Sequence, residues 1–396
     1  MTLASEETIT LKPTKKQPGL VRATRAVVDL GAIRANTARI KEKIGSRCKL
    51  MAVVKADGYG HGAVPVTQAA LAGGADYLAV TRPEEGRSLR ASGILCPILI
   101  FGLIEPSEAE QVVALGLTQT VATLELAEAL DRAAFRQGRK AVVHLKVDTG
   151  MGRIGAQPED ALPLARAISR LPHLELEGLF SHFAAADALD KRYAIEQMEK
   201  FDRVLAALQK EGIEVPIKHF ANSAATLDLP DSYYDMVRPG LLLYGVYPTA
   251  EVQRSIPLVP AMALTTRVMA VKRVPAGSSI SYGCTFTAAR ETLVATLPVG
   301  YADGYSRFLS NKAEVILRGQ RVPQIGTICM DLTMADVTAL GDVQAGEEVL
   351  VFGPGLPVDE LAAKIGTISY EILCAIGKQV PRLYLNPPEG FGNGGS

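Results

Sequence analysis

Short apolar runs alternate with helix-patterned segments over residues 26–255. The runs recur at intervals of roughly 20 to 40 residues, as in successive βα units. We predict eight core strands after an opening strand at 26–30, at residues 50–55, 77–80, 98–101, 119–121, 142–147, 174–180, 217–220 and 236–238. Segments 32–44 and 193–211 carry apolar residues three and four positions apart, which predicts amphipathic helices. Eight units favour a closed barrel, although an open doubly wound sheet has the same rhythm.

The pattern changes at about residue 256, where strand-like runs separated by Gly and Pro turns replace the helical periodicity. These runs lie at 264–270, 293–297, 315–317 and 349–352, with a helix at 358–365 and a shorter one after Thr367. We therefore predict an α/β protein in which an N-terminal (β/α)8 TIM-type barrel (26–255) precedes a C-terminal mainly-β domain (256–385). Residues 1–25 and 386–396 are predicted to be flexible tails.

The composition of the chain disfavours several classes of protein. The 396-residue chain has 42 Lys and Arg against 42 Asp and Glu, so its net charge is zero. This balance does not favour binding to nucleic acid or to an anionic membrane. Its longest apolar stretch, residues 95–104, is about half of the roughly 20 residues that a spanning helix needs. Five scattered cysteines without a CxxC pair fit neither a disulfide scaffold nor a zinc site. Because no apolar leader precedes the first strand, we predict a cytoplasmic protein.

The strongest chemical signal is VVKADGYGHG at residues 53–62, where an apolar strand ends in a lysine and a glycine-rich turn follows. Lysine is rarely buried, so one explanation for Lys55 is an ion pair that caps the strand. The other is that its amine forms a Schiff base with a carbonyl group, once desolvation lowers the amine pKa. The glycines would let the backbone approach a ligand, and the Tyr59 hydroxyl could reach a phosphate group.

This segment resembles the pyridoxal-phosphate lysine motif of alanine racemases. Further motifs similar to those of that family follow in order from about Ala26 to Leu385. The resemblance implies a barrel with a C-terminal β domain, and pyridoxal 5′-phosphate as the cofactor bound through Lys55. It also implies interconversion of L-alanine and D-alanine, a small-molecule substrate pair, to supply D-alanine for peptidoglycan synthesis.

The segment HLKVDTGMGRIG at residues 144–155 places His144, Lys146 and Asp148 on one face of a strand. Without the family, one explanation of this pattern is a strand edge with a salt-bridged face, and a functional site is the other. The resemblance implies that Arg153 binds the substrate carboxylate, a task suited to a two-pronged guanidinium group. It also implies that Lys146 occupies a position where a carbamylated lysine can orient that arginine.

A histidine follows the sixth predicted strand in FSHFAAAD at residues 180–187. Such a lone histidine is as often structural as catalytic. The resemblance implies that His182 packs against the cofactor ring and shares a hydrogen-bond network with Arg238, which His219 supports. Arg238 is implied to face the pyridine nitrogen. Since a guanidinium group only donates, that nitrogen must accept and the ring withdraws electrons less strongly.

The resemblance also supplies residues for the cofactor phosphate. HFANS at 219–223 and VRPGL at 237–241 match the corresponding family motifs. The implied ligands combine hydroxyl groups and backbone amides, which bind phosphate without added charge. They are Tyr59, Ser223, Gly240 and Leu241, with Tyr370 joining from the second domain.

Three segments of the second domain match family motifs, although none of them alone is specific to one function. They are SISYGCT at 279–285, PVGYADG at 298–304 and GTICMD at 326–331. The resemblance implies that Tyr282 is the second catalytic base and that the Met330 amide binds the substrate carboxylate of the neighbouring subunit. Tyr301 and Tyr370 are implied to narrow the entry, and Asp331 to support the site. Leu332 replaces a glutamine found in many relatives, which affects packing around Met330 and Asp331.

Racemisation is best served by acid/base groups on both faces of the α-carbon. The resemblance implies that Lys55 acts on D-alanine and Tyr282 of the partner subunit on L-alanine, in a homodimer with shared active sites. One alternative is a broader-specificity racemase that acts on serine or larger amino acids. Less favoured are a fold-type III decarboxylase, for which Cys284 is the only hint, and a non-catalytic pyridoxal-phosphate-binding protein, which would lack the second domain.

Overall fold

The computed structural model describes residues 22–389, which form two compact units. The first, called the barrel unit, contains residues 30–259. The second, called the β unit, contains residues 22–29 and 260–386. Most of the two predicted flexible tails, residues 1–21 and 390–396, lies outside the described residues.

Strand β1 (Arg25–Asp29) comes first along the chain, and the strands of the barrel unit follow it. They are β2 (Lys49–Val53), β3 (Tyr77–Val80), β4 (Ile98–Ile100), β5 (Thr118–Val121), β6 (Ala141–Lys146), β7 (Leu174–Phe180), β8 (Ile217–His219) and β9 (Met236–Val237). They pair in parallel in the order β8-β7-β6-β5-β4-β3-β2-β9. Backbone hydrogen bonds of 2.9 Å from Asp235 to Lys218 and from Arg238 to Ala221 join the two end strands. The eight strands therefore form a closed ring, which confirms the predicted barrel rather than an open sheet.

Helical segments alternate with these strands. They are α1 (Leu30–Ile44), α2 (Lys55–Tyr59), α3 (Ala63–Ala72), α4 (Pro83–Ala91), α5 (Ala109–Ala114), α6 (Leu124–Arg136), α7 (Pro158–Ile168), α8 (Arg192–Lys210) and α9 (Ser223–Asp228). As the three-and-four spacing predicted, α8 buries Phe201, Val204 and Leu208. Within residues 22–389, no helix is both long and apolar enough to cross a bilayer.

The β unit has three sheets. Its remaining strands are β10 (Met262–Arg267), β11 (Ala270–Val274), β12 (Ser279–Ile280), β13 (Phe286–Thr287), β14 (Thr292–Leu297), β15 (Glu314–Leu317), β16 (Gln320–Pro323), β17 (Thr333–Asp336), β18 (Glu348–Phe352) and β19 (Arg382–Leu385). The helices α10 (Val358–Lys364) and α11 (Ser369–Cys374) match the two helices expected there. The sheet orders are β16-β15-β18-β10-β1-β19, β11-β14-β17 and β12-β13.

The structure corrects the predicted position of the opening strand. We assigned residues 26–30 to the barrel domain, but β1 pairs antiparallel with β10 and parallel with β19 in the β unit. Leu30, the predicted last residue of that strand, is the first residue of α1. The alternation of side chains along a strand is the same whichever sheet receives it, so the local pattern did not distinguish these partners. The predicted run at 264–270 is also divided between β10 and β11.

Candidate active site

Lys55 follows the buried strand β2 and begins a left-handed turn rather than an ordinary helix. The φ angle is 52° at Ala56, 52° at Asp57, 61° at Gly58 and 52° at Tyr59. Backbone hydrogen bonds from Gly58 to Val54 (2.9 Å) and from Gly60 to Ala56 (3.0 Å) close the turn. Because this conformation costs roughly 1–2 kcal/mol for each residue other than glycine, contacts around the turn must hold it.

Two carboxylates supply such contacts. One oxygen of Glu85 accepts from the Ala56 amide at 2.6 Å, while its other oxygen accepts from the Thr81 and Arg82 amides at 2.7 and 3.1 Å. Asp57 accepts from the amide of Ala63 at 2.8 Å, where α3 begins. Sequence reasoning missed Glu85, although a glutamate at the third position of a helix often caps it. These bonds fix the backbone that carries Lys55.

Residues predicted to bind phosphate converge at the end of β9. The Gly240 amide donates to the Ser223 hydroxyl at 2.9 Å. A Cβ atom on Gly240 would overlap the Tyr59 hydroxyl oxygen, so the absent side chain lets that hydroxyl lie close to the Gly240 backbone. Leu241, fully buried, begins the next short turn. Two hydroxyl groups and adjacent backbone amides thus lie together, a donor set that fits a phosphate group.

Arg238 is 3% exposed and is held by several acceptors inside the barrel. Its Nη1 donates to His219 Nδ1 at 3.0 Å. Its Nη2 donates to the carbonyl oxygens of Ser181 (2.7 Å) and Phe220 (2.9 Å), and lies 3.3 Å from His182 Nδ1. The guanidinium group is therefore fixed in direction, as a residue facing a cofactor ring must be. A ring nitrogen placed beside it would meet only hydrogen-bond donors.

Burial and positive charge together keep the site's histidines neutral. Desolvation, followed by the charge of Arg238, lowers the pKa of His219 and of His182 well below the usual value. The charges of Lys146, Arg153 and Lys55 lower the pKa of His182 further. All four cationic residues therefore act on one imidazole ring, which shows that the structure brings these predicted residues together.

Lys146 is 3% exposed, and its Nζ lies 4.5 Å from the centre of the Phe180 ring. Desolvation, helped by the charges of Arg238 and Arg153, lowers its pKa to about 7. Asp148 organises the loop after β6. Its carboxylate accepts from the amides of residues 150–153 at 2.8 to 3.1 Å. Burial raises the Asp148 pKa, but these backbone bonds outweigh that effect and lower it.

The β unit carries the other predicted residues on adjacent loops. Tyr282 is 72% exposed, Met330 54% and Tyr301 42%. The Thr327 hydroxyl donates to the Tyr282 carbonyl at 2.7 Å, and the Tyr301 amide donates to the Cys329 carbonyl at 3.1 Å. Both tyrosine loops are thus attached to the segment that contains Met330. Asp331 on this segment is exposed, and Tyr370 lies half-buried in α11.

Two domain models of one protein family together match nearly the whole of the described chain. The alanine racemase N-terminal domain matches residues 28–248, and the alanine racemase C-terminal domain matches residues 261–384. The chain belongs to the alanine racemase family. Its relatives include an alanine racemase of Desulfovibrio desulfuricans, 47% identical over 92% of this chain and 98% of the relative. An alanine racemase of Methanococcus maripaludis is 44% identical over 91% of this chain and 98% of its own length.

Solved alanine racemases share the fold. The enzyme of Clostridium difficile 630 superimposes with a TM-score of 0.88 at 39% identity, covering 92% of this chain and 96% of that one. The alanine racemase of Streptomyces lavendulae gives a TM-score of 0.88 at 37% identity, with 93% and 98% covered. The predictions of the family, of an isomerase and of a barrel followed by a mainly-β domain are confirmed, and these relatives support alanine racemase activity.

Proposed function

We propose that this chain is a pyridoxal-phosphate-dependent alanine racemase that works as a cytoplasmic homodimer and supplies D-alanine for peptidoglycan. The observation that carries the proposal is the set of groups at one end of the barrel. Lys55, the donors of Tyr59, Ser223 and Gly240, and the buried Arg238 all follow strands of the same ring. The chemistry of these groups fits a carbonyl, a phosphate and a ring nitrogen respectively.

Each part of the cofactor has a matching residue. Lys55 would bind it covalently through Nζ. Tyr59, Ser223 and the amides of Gly240 and Leu241 would hold the phosphate, with Tyr370 as a further donor. Arg238 would donate to the ring nitrogen beside His182. When bound, pyridoxal phosphate supplies an electron-withdrawing ring that stabilises negative charge at the substrate α-carbon.

The chain's own residues then bind alanine and move its proton. The Arg153 guanidinium and the partner's Met330 amide would hold the substrate carboxylate. Lys55 Nζ would exchange the α-proton on one face and the partner's Tyr282 hydroxyl on the other, so that removal and return occur on opposite sides. His219 and Asp331 are assigned supporting roles.

Lys146 is proposed to orient Arg153 as a carbamate. Its lowered pKa of about 7 leaves much of the amine unprotonated at neutral pH, as addition to carbon dioxide requires. In that reaction the Nζ lone pair attacks the carbon of CO2 and forms an N–C bond, one C=O π bond breaks and leaves its electron pair on an oxygen, and one proton passes from nitrogen to solvent. The resulting carboxylate would put a negative charge near Arg153 and Arg238.

The test is incubation of the purified protein and pyridoxal phosphate with L-alanine in deuterated water. We expect D-alanine, α-deuteration of both enantiomers and no carbon dioxide. Release of carbon dioxide would indicate a decarboxylase, and alanine recovered without deuterium would indicate a non-catalytic binding protein. Protein stripped of cofactor is the control.

Substrate size is set, in this proposal, by the two tyrosines that narrow the entry. Tyr301 and Tyr370 are bulky and have only two side-chain torsions, so we expect kcat/KM to be highest for alanine and next for serine. A panel of L-amino acids measures this order. Faster turnover of lysine or arginine would instead support the broader-specificity racemase.

A further inference from the structure

A chain of two histidines links Arg238 to a half-buried carboxylate on β7. His219 accepts from Arg238 through Nδ1, and its Nε2 lies 2.9 Å from His144 Nδ1. His144 Nε2 in turn lies 2.8 Å from Glu177 Oε2. Both imidazole rings are fully buried, so each nitrogen along this path depends on its neighbour for a hydrogen bond.

Only one arrangement of protons satisfies every bond on this path. The Arg238 guanidinium can only donate, so His219 Nδ1 must accept and its Nε2 must carry the proton. His144 Nδ1 then accepts, so His144 also carries its proton on Nε2 and donates it to Glu177. A carboxylate ends the path correctly because it only accepts. Desolvation lowers the pKa of both histidines, which keeps a second proton off each ring.

The backbone of β7 is shaped to bring Glu177 to this position. Val143 of β6 pairs with Leu176, but His144 pairs with Gly178, so Glu177 is an extra residue in a β-bulge. Such a bulge redirects a side chain that strict alternation would point the other way. A Cβ atom on Gly178 would overlap the His144 ring, so the glycine also makes room for the imidazole.

A second donor stabilises Glu177 as an anion, at the same oxygen that accepts from His144. The Tyr77 hydroxyl donates to Glu177 Oε2 at 2.8 Å and lies 2.8 Å from the Thr118 hydroxyl. Burial raises the Glu177 pKa, but the hydrogen bonds from His144 and Tyr77 outweigh this and lower it. The end of the path is therefore a fixed acceptor rather than a carboxylic acid.

We propose that Glu177 is a positioning residue of the racemase: it holds His144 and His219 in the Nε2–H tautomer, so that His219 Nδ1 stays an acceptor that orients Arg238. The role in catalysis rests on the proposed function, because it acts through Arg238 beside the cofactor. The tautomers themselves are a property of the protein without cofactor or substrate.

The decisive measurement is a long-range proton–nitrogen correlation spectrum of cofactor-free protein labelled with 15N-histidine. The chain has only five histidines, so His144 and His219 can be assigned from single substitutions. In the wild type we expect the Nε2–H tautomer for both. In Glu177→Gln, the amide can donate to His144 as well as accept from it, so we expect the Nδ1–H tautomer to appear at both rings. Glu175→Gln, an exposed neighbour in the same strand with the same charge change, should leave the wild-type spectrum unchanged.

The kinetic measurement is alanine racemisation by the same three proteins. We expect kcat of Glu177→Gln to fall about tenfold or more, with KM changed less than twofold, as when a carboxylate that orients a histidine is lost. Nδ1–H or a doubly protonated ring in the wild type would overturn the proposal without any variant having to fold. So would a Glu177→Gln protein that matches Glu175→Gln in spectrum or in kcat. A wild type with Nε2–H at both rings but without racemase activity would refute the proposed function and leave the tautomer assignment intact.

Discussion

At the scale of single residues, two side chains that usually carry a positive charge lie inside the barrel. Lys146 and Arg238 are each 3% exposed, and burial lowers the pKa of Lys146 to about 7 and that of Arg238 to about 9. Burial disfavours the charged form of a base, so burying these ammonium and guanidinium groups at neutral pH lowers the stability of the folded protein. The protein tolerates this cost where the two side chains are proposed to orient substrate and cofactor.

The Lys146 pKa makes the stability of the protein pH-dependent in a known direction. An unfolded lysine titrates near its ordinary value of 10.5, so the unfolded chain binds more protons than the folded one between pH 7 and 10.5. The contribution of Lys146 to stability should therefore become more favourable as pH rises across that window and be least favourable below pH 7. We expect Lys146→Met to be more stable than the wild type in urea titrations at pH 7. The difference between their free energies of unfolding should shrink by on the order of 3 kcal/mol towards pH 10.

Buffers free of carbon dioxide are needed for that comparison, since a carbamate would offset the burial of the amine. Lys210→Met, which removes the same charge from the exposed end of α8, is the control. An advantage of Lys146→Met that grows with pH would contradict the assigned pKa direction.

Lys55 is the residue assigned to hold the cofactor covalently. We expect Lys55→Ala to lose the visible absorption of lysine-bound pyridoxal phosphate and the labelled peptide that borohydride reduction yields, because Lys55 leads directly into the left-handed turn that carries Tyr59. Lys218→Ala, in barrel strand β8, should keep both. A band that persists in Lys55→Ala and is fixed by borohydride would refute the assignment.

The most unusual element is the turn of residues 56–59, in which four consecutive φ angles are positive. Ala56 is exposed there, so its side chain contributes little packing, while its left-handed backbone costs energy that glycine avoids. We expect Ala56→Gly to raise the free energy of unfolding by about 0.5–1 kcal/mol, since the relieved strain exceeds the added freedom of the unfolded chain.

Ala206→Gly is the matched comparison for this turn. It changes another exposed alanine, in the right-handed interior of α8, and should lower stability by about 1 kcal/mol in the same urea titration. If both substitutions destabilise equally, the turn does not store the strain assigned to it.

Elements with their own local signal were predicted well, and those defined by long-range pairing were not. Barrel strands such as β3 and β4 are apolar runs buried on both faces, and α8 carries the period of its buried face, so these local patterns located them within one or two residues. The partners of β1 and the bulge at Glu177 depend on residues far away in sequence, and no local spacing encodes them. Lys55, Arg153 and Arg238 were found through family motifs, whereas Glu85 and Glu177 act through backbone amides or other side chains and were missed.

At the scale of the whole molecule, the proposed sharing of active sites between two subunits predicts complementation between defective subunits. Lys55→Ala and Tyr282→Phe homodimers should each be severely impaired if every site uses Lys55 of one subunit and Tyr282 of the other. Refolded together, each hybrid dimer would contain one intact site and one doubly defective site. Random pairing makes half the dimers hybrid, so activity should recover to about a quarter of wild type.

Mass spectrometry of the mixture provides the control by showing that hybrids form. A mixture that contains hybrids but stays as inactive as its parents would place Tyr282 and Lys55 of the same chain in one site. Activity would then require both residues intact in a single subunit, and no hybrid could supply that.

The position of β1 also dictates an order of events during synthesis. β1 leaves the ribosome first, yet its sheet partners β10 and β19 follow only after the entire barrel has been made. At about 5–20 residues per second, the wait for β19 is roughly 20 to 70 seconds, during which the continuous barrel can fold and β1 remains an unpaired apolar strand. A fragment that starts at residue 256 would lack β1 and expose the edges of β10 and β19, which invites aggregation. An independently folding β unit must therefore be encoded from two separate parts of the gene, with residues 22–29 joined to residues 260–386.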